Sequence, residues 1–242
     1  HKWVVKENKS VIVSIEFELL EMVDEDYKEG VQNYFHNEIE NYGVKTGKVR
    51  KLARKYYSEV KDLSKDEVFN VCEELLDTGI SENRTIAFQW AHRLKSKYER
   101  GDFARFESWV KKYVHNWGAC DDLCTHALGE LVYQYPELIE NLKNWCSSDN
   151  MWKRRGAAVT MIYSIRNGEV LDTVIEIADL LFADEEDLVQ KGYGWMLKEA
   201  SKDHPRAVFD YVMDNREEMP RTSLRYAIEK LPEDWRGRAM ER

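Results

Sequence analysis

The chain has 242 residues, enough for one large domain or two small ones with a substantial hydrophobic core. Glycine (12 residues) and proline (4) are scarce, a composition that favours long helices with short connections over many turned strands. The formal net charge of -9 argues against indiscriminate binding to a polyanion, because contacts of Lys and Arg with phosphate supply most non-specific affinity.

The first stretch of the chain, HKWVVKENKSVIVS (1–14), is too polar to be the hydrophobic centre of a signal peptide. No apolar run in the chain approaches the ~18 residues that cross a bilayer. We therefore expect no membrane contact and a cytoplasmic protein, in the bacterial cytosol or nucleoid. Residues 1–14 receive no assigned role.

Charge is unevenly distributed along the sequence. Residues 15–30 and 182–187 are acidic, whereas 44–55 (VKTGKVRKLARK) and 152–155 (WKRR) are basic. A single charge run is most often the solvated face of a helix, so none of these runs by itself predicts a binding site.

The four cysteines, Cys72, Cys120, Cys124 and Cys146, do not form a zinc framework. The helical spacing of Cys120 and Cys124 puts both sulfurs on one face, but no second pair matches them. We interpret the cysteines as small core residues of a reduced cytosolic protein, and we expect neither a metal site nor a cofactor.

From about residue 64 a helical unit recurs, with a polar start, an apolar helix, a short loop and another helix. The units begin about 30 to 37 residues apart, near 81, 118, 148, 185 and 220, which is the period of stacked helical hairpins. We predict an all-α fold, an α-α superhelix of helical repeats with a concave surface for a long ligand, forming a single domain over residues 1–242. Ser64, Ser81 and Ser148 are each placed to cap a helix.

The segment HNWGACDDLCTHALGEL (115–131) predicts one helix whose two adjacent aspartates differ. Its buried stripe, at i, i+3, i+4, i+7 spacing, comprises Cys120, Leu123, Cys124, Ala127, Leu128 and Leu131. Trp117 and Asp121 are four residues apart at the margin of this stripe, whereas Asp122 falls about 100° further toward solvent. Asp121 is thus expected to be partly desolvated. Without further signals, an aspartate at the edge of a helix is more typical of a cap or a salt bridge than of a catalytic group.

The helix DLVQKGYGWMLKEASKD (187–203) carries a second aromatic residue outside its packing stripe. Trp195 projects about a quarter turn from the stripe, with Lys191 four residues before it and Lys198 three after it. An aromatic ring between cations predicts a surface for nucleic-acid phosphate and sugar, and an amphipathic Trp at a repeat junction is an equal alternative.

Arg154 and Arg155 fall in the first turn of another helix, where the helix dipole disfavours cations. A bound phosphate is the simplest explanation, because arginine offers bidentate donors and the helix start adds free amides.

The ordered motifs NWGACD, SDNMWKRRGAA, KGYGWMLKEASKDHP and RYAIEKL resemble the AlkD-type DNA alkylation repair glycosylases, which are built of HEAT-like repeats. The resemblance covers residues 26 to 232. Members of that family excise N3- and N7-alkylated purines, such as 3-methyladenine and 7-methylguanine, from duplex DNA and leave an abasic site.

The resemblance also implies roles for individual residues. It identifies Asp121 as the catalytic carboxylate and Trp117 and Trp195 as the residues that flank the lesion. It implies DNA contacts for Arg155, for Tyr34 in NYFHNEIENYGVKT, and for Arg225 in RYAIEKL. Together with Arg154, Lys191 and Lys198, these residues form the predicted DNA-binding set, and the partner is duplex DNA with alkylated bases bound by a monomer.

Two other functions are compatible with the sequence. A non-catalytic helical-repeat module that binds damaged or branched DNA would use the same surface without excision. A protein-binding scaffold would suit the negative charge but does not explain Trp195 between two lysines.

Overall fold

A computed structural model describes residues 2–36 and 39–241, with side chains from Val11 onward in those ranges. All regular structure within these ranges is helical, as the composition predicts, and no strand occurs there. No helix in the described part of the chain is both long and apolar enough to cross a membrane. The chain divides into two compact units, His1–Tyr98 and Glu99–Arg242. The single domain expected over 1–242 stays a prediction.

The first unit contains five α-helices and a short 3₁₀ helix at Lys95–Lys97. The α-helices are α1 (Lys2–Glu21), α2 (Glu25–Tyr34), α3 (Thr46–Tyr57), α4 (Lys65–Asp77) and α5 (Ser81–Arg93). Helix α5 packs against both α3 and α4, and α1 packs against α3. Trp90 is completely buried at this junction, and its indole N–H donates to the Ala53 carbonyl at 2.8 Å.

The buried carboxylate of Glu82 organises the loop that precedes α3. It accepts the backbone N–H groups of Tyr42, Gly43 and Val44 at 2.9 to 3.1 Å, and its residue is only 4% exposed. Gly43 has φ +93°, in the left-handed region that favours glycine. A buried charge is tolerated here because several hydrogen bonds satisfy it.

The second unit is a series of helical hairpins. Its helices are α6 (Asp102–Tyr113), α7 (Trp117–Thr125), α8 (Ala127–Gln134), a 3₁₀ helix (Pro136–Leu138), α9 (Ile139–Trp145), α10 (Met151–Asn167), α11 (Leu171–Leu181), α12 (Asp187–Ser201), α13 (Pro205–Asn215), α14 (Arg221–Ile228) and α15 (Glu233–Met240). Helices α7, α10, α12 and α14 pack side by side in that order, and α9, α11 and α13 each pack on the helix that follows them. The recurrence predicted from sequence is therefore present in this unit.

Side-chain bonds connect neighbouring hairpins at separations close to the repeat period. Arg166 on α10 binds Glu199 on α12 across 33 residues, and Lys198 binds Glu229, the residue after α14, across 31. The Ser223 hydroxyl donates to the Tyr193 hydroxyl across 30 residues, within the buried core. Equivalent positions of successive hairpins therefore face each other.

The observed helix starts lie within about three residues of the predicted ones, but the caps differ. Ser64 caps α4 in a complete capping box with Glu67, as predicted. Ser81 is instead the first residue of α5 and makes no capping bond. The cap of α10 is Asn150 and not Ser148. The Ser148 hydroxyl accepts the backbone N–H of Asn150, in the loop that precedes the helix.

The helix expected over 117–131 is interrupted at His126, where φ is -121° and ψ is -92°. The Thr125 hydroxyl donates to the Asp121 carbonyl at 2.6 Å, and the His126 ring donates to the Asp122 carbonyl at 2.9 Å. The carbonyls of Asp121 and Asp122 thus accept from side chains, which compete with the backbone N–H groups of the next helical turn for these acceptors. The six predicted stripe residues are nevertheless all completely buried.

Close helix packing depends on Gly194, because a Cβ there would lie 2.7 Å from Tyr226 Cβ and 2.9 Å from the Ser223 carbonyl. We expect Gly194→Ala to lower the free energy of unfolding by about 1 to 3 kcal/mol through overpacking. Gly237→Ala, in α15, is the matched control, since nothing lies within 4 Å of the added atom. Urea denaturation measures both; equal stability of the two variants would contradict this close approach.

Candidate active site

The amino-terminal part of α7 carries the first two candidate residues. Asn116 caps the helix by accepting the N–H of Ala119 at 2.9 Å, and Trp117 is the first helical residue. The buried face of α7 anchors it to the core, so Trp117 and Asp121 lie one turn apart along the edge of that face. Trp117 is half-buried.

Asp121 forms a bidentate ion pair with Arg155, the fifth residue of α10. Arg155 Nε donates to Asp121 Oδ1 and Nη2 donates to Oδ2, each at 2.9 Å. The Asp121 side chain is 16% exposed and the Arg155 side chain 7%. This geometry is that of a charge-assisted pair in which both carboxylate oxygens accept.

Arg155 also links this pair to the next hairpin. Its Nη1 donates to the Leu188 carbonyl at 2.6 Å, in the first turn of α12. Gly192 allows the close approach, because a Cβ there would lie 3.1 Å from Arg155 Cγ. One guanidinium therefore joins α7, α10 and α12.

The environment acts on both charges of the pair. Burial raises the pKa of the Asp121 carboxyl, and Arg155 opposes that rise through its hydrogen bonds and its positive charge. Burial lowers the pKa of the Arg155 guanidinium, but the interactions with Asp121 outweigh it and the pKa is raised. The carboxylate is thus held in a poorly solvated position with a single close cation.

Helix α12 carries Lys191, whose charge interacts with that of Arg155, and Trp195 four residues later. Lys191 precedes Gly192 and pairs with Asp187 at 2.8 Å, and the hydrogen bond that it donates to Asp187 raises the pKa of the Lys191 ammonium. Trp195 is half-buried one turn further along the same helix. We call Trp117, Asp121, Arg155, Lys191 and Trp195 the Asp121 cluster.

The model of the family of DNA alkylation repair enzymes matches residues 15–231, nearly the whole chain. The chain belongs to this DNA alkylation repair enzyme family. The family membership expected from the ordered motifs is thereby confirmed.

A solved structure with the description "Predicted DNA alkylation repair enzyme from Enterococcus faecalis" has the same fold as this DNA alkylation repair protein. The TM-score is 0.79 at 16% sequence identity, and the match covers 88% of this chain and 98% of that one. At such identity the likeness concerns the fold alone. No functionally curated protein matches the chain.

The structure of this DNA alkylation repair protein gives Arg154 and Arg155 intramolecular partners, which explain their position without a bound phosphate. Arg154 Nε donates to Asp184 at 2.8 Å, and its Nη1 donates to the Ser148 carbonyl at 3.0 Å. Arg155 is 6% exposed and faces Asp121, and its contact with DNA stays a prediction. Aspartates offset the unfavourable helix position of both arginines.

The other predicted DNA contacts differ in their availability. Lys198 is 17% exposed, pairs with Glu229 at 3.0 Å and lies 5.7 Å from the Tyr226 ring centroid. Arg225 is exposed, and no ion pair engages it within the described part of the chain. Tyr34 is 67% exposed at the end of α2 in the first unit.

The two aspartates differ more in their partners than in their exposure. Asp122 is not fully turned to solvent, since its side chain is 23% exposed and lies 3.3 Å from the His126 ring. Asp121 is slightly less exposed but is bound by a buried guanidinium. Helical phase therefore distinguishes the pair correctly but understates the burial of Asp122.

All four cysteines are free and buried. Within the described ranges, no group of His, Cys, Asp or Glu residues has the arrangement of a metal site.

Sequence reasoning missed Arg155 as the partner of Asp121 and Asp184 as the partner of Arg154. The sequence did carry a signal for these contacts. Asp121 and Arg155 are 34 residues apart and Arg154 and Asp184 are 30 apart, close to the repeat period that brings equivalent positions of neighbouring hairpins together.

Replacing Arg155 by Met should lower the free energy of unfolding by roughly 3 to 5 kcal/mol at neutral pH, because the Asp121 carboxylate is left buried and unpaired. The deficit should shrink toward about pH 4, since an unpaired buried carboxyl has a folded-state pKa above its unfolded value and the folded state favours its protonated form. Urea denaturation at both pH values measures this.

Arg166→Met on the same helix is the control. Its side chain is 52% exposed, and Glu199 keeps a second partner in Lys202 at 3.1 Å. A loss below about 1 kcal/mol is expected there. Two outcomes would contradict the buried pair. One is an equal loss of unfolding free energy in the two variants, and the other is a loss in Arg155→Met that does not change with pH.

Proposed function

We propose that this protein is a monofunctional DNA glycosylase that excises cationic N3- and N7-alkylated purines from duplex DNA and leaves an abasic site. The observation that carries the proposal is the Asp121 carboxylate, which is poorly solvated and bound by Arg155. Trp117 lies one turn before it on α7, and Trp195 lies on α12, which Arg155 also contacts. Membership of the DNA alkylation repair family supports the general role.

A single carboxylate suffices for this chemistry. A glycosidase ordinarily needs a general acid to protonate its leaving group and a second carboxylate to support the sugar cation. An alkylpurine that already carries a positive charge leaves as a neutral base, so no general acid is required. Only the oxocarbenium-like sugar then needs stabilisation, together with a positioned water.

Asp121 suits this electrostatic role. Coulombic attraction between its carboxylate and a developing sugar cation is stronger in a poorly solvated site than in water. Arg155 takes one acceptor position on each oxygen, and a carboxylate retains further lone pairs for a water or for the sugar. Arg155 thus acts as a positioning residue that holds Asp121 in place and favours its charged form.

The two tryptophans supply the apolar side of the site. Indole faces attract cations, and they contact sugar and base surfaces without reading sequence. Specificity would then depend on the charge and lability of the lesion, and neutral lesions would be poor substrates. The mechanism calls for no metal or redox cofactor, and a monomer would bind the duplex.

A second candidate function is non-catalytic binding of damaged or branched DNA. The bidentate pairing of Asp121 with Arg155 favours it, because a carboxylate neutralised by a buried cation stabilises a second cation less. Excision and binding therefore have to be measured separately.

Incubation with methylated duplex DNA should release 3-methyladenine or 7-methylguanine, measured by chromatography. Asp121→Asn should reduce the single-turnover excision rate by about 100-fold or more, because the transition-state charge loses its partner. Asp122→Asn is the matched control and should leave the rate little changed. Urea denaturation of both variants separates loss of activity from loss of folding.

Equal loss of excision in the two variants would contradict the role of Asp121. Binding of a duplex with an abasic-site analogue, without base release by the unmodified protein, would instead favour the non-catalytic candidate. Neither binding nor release would favour a protein-binding scaffold.

Excision should also depend on pH through Asp121. Because its pKa is raised above the ordinary carboxyl value, the rate should fall as pH drops through that raised pKa. Arg155→Lys keeps a cation but loses the bidentate bonds that lower the pKa, so the acid limb should move to higher pH. Single-turnover rates across the acid range measure this; an acid limb that stays at the same pH would contradict the coupling.

A further inference from the structure

Helix α3 presents an uninterrupted cationic face to solvent. Its buried residues are Val49, Leu52 and Ala53, which pack against the rest of the first unit. Every remaining position between 48 and 55 is an exposed lysine or arginine, namely Lys48, Arg50, Lys51, Arg54 and Lys55. We call these five residues the α3 cationic face.

This arrangement is unfavourable for the isolated helix. Arg50 with Arg54, and Lys51 with Lys55, are like charges at i,i+4 spacing, which destabilises a helix by about 0.2 to 0.5 kcal/mol per pair. Helix α3 contains no acidic residue, although the chain has 45 acidic residues against 36 basic ones. The α3 cationic face therefore concentrates positive charge in a chain that is acidic overall.

Acidic residues compensate the positive charge along one edge of this face, where α3 packs against α1. Lys55 pairs with Glu18 on α1 at 2.5 Å, and Glu21 lines the same groove between α1 and α3, together with Lys48 and Lys51. Arg50 and Arg54 lie on the other side of α3, and no ion pair engages them within the described residues. The positive charge is therefore least compensated along the edge that carries the two arginines.

The arginine edge continues onto α5. The Gln89 side chain donates to the Arg50 carbonyl at 3.4 Å, and the Arg93 guanidinium lies 4.8 Å from the Tyr57 ring centroid. Arg93 is exposed at the end of α5. Arg93 of α5 and the arginines of α3 thus lie on two packed helices, and the Tyr57 ring contacts Arg93.

We propose that the α3 cationic face binds the sugar-phosphate backbone of duplex DNA through Arg50, Lys51 and Arg54. Residues 48–55 extend about 10 Å along the helix axis, and duplex DNA carries about six phosphate charges over that length. An anionic membrane fits less well, because the apolar residues of α3 are buried and leave no face to insert into lipid. The proposal rests on the proposed function in taking DNA as the polyanion, but the surface shares no residue with the Asp121 cluster.

The surface explains how a chain of net charge -9 could hold DNA when most cations near Asp121 have intramolecular partners. Phosphate contacts position a protein on DNA without specifying sequence, as a lesion-directed enzyme requires.

The test is the triple variant Arg50→Gln, Lys51→Gln, Arg54→Gln, measured by fluorescence anisotropy with an undamaged duplex over a range of salt concentrations. The slope of log K against log salt should become less steep by roughly 2 to 3, since each lost phosphate contact removes about 0.9. Lys61→Gln with Lys111→Gln removes two exposed lysines elsewhere and should leave the slope unchanged.

Two outcomes would overturn the proposal. One is an unchanged salt slope in the triple variant. The other is loss of binding to phosphatidylserine vesicles with DNA binding intact, which would identify a lipid surface instead.

Base release by the unmodified protein is measured separately from the slope of log K against log salt, so that the two proposals can fail independently. If methylated bases are released but the triple variant keeps its salt slope, the α3 surface is wrong and the glycosylase proposal stands. If the slope falls but no base is released, the surface stands and the glycosylase proposal is wrong.

Discussion

The ion pair of Asp121 with Arg155 connects three successive hairpins through one guanidinium. Its Nε and Nη2 hold α7, and its Nη1 holds the first turn of α12. Since a charge this deeply buried is tolerated only when it is paired, the spacing of these helices and the ionisation of both groups are interdependent.

The same pair limits what the surrounding cations can do. Arg155 is committed to Asp121, Arg154 to Asp184, and Lys198 to Glu229, so these charges primarily stabilise the fold. Holding a polyanion then depends on cations that lack such partners. A cationic surface that shares no residue with the Asp121 cluster is consistent with a protein whose overall charge is negative.

Local rules predicted much of this fold. Apolar periodicity identified the buried stripe around Cys120 and Leu123, and polar helix starts located the hairpins, because both depend on residues near in sequence. The same rules failed at His126, where side-chain bonds to carbonyls replace a backbone turn without a glycine or proline to signal it. Ser81 likewise resembles a cap in sequence but lies inside its helix.

The candidate site was only partly predictable. Helical phase distinguished Asp121 from Asp122, because phase is a property of one helix. It could not identify the guanidinium that binds Asp121, since that contact joins residues 34 positions apart. The two arginines at the start of α10 were correctly recognised as anomalous, but the anions that compensate them belong to the protein itself.

The bonds between equivalent positions of successive hairpins have a consequence for cooperativity. Arg166 with Glu199, Lys198 with Glu229, and Tyr193 with Ser223 each span one repeat, so every hairpin from α10 onward is coupled to the next by polar contacts as well as by packing. In such a linear array, stability is the sum of intrinsic and nearest-neighbour contributions. Fraying from the carboxyl-terminal end would have to break these couplings one interface at a time, which protects the interior hairpins that carry Asp121 and Arg155 from local opening.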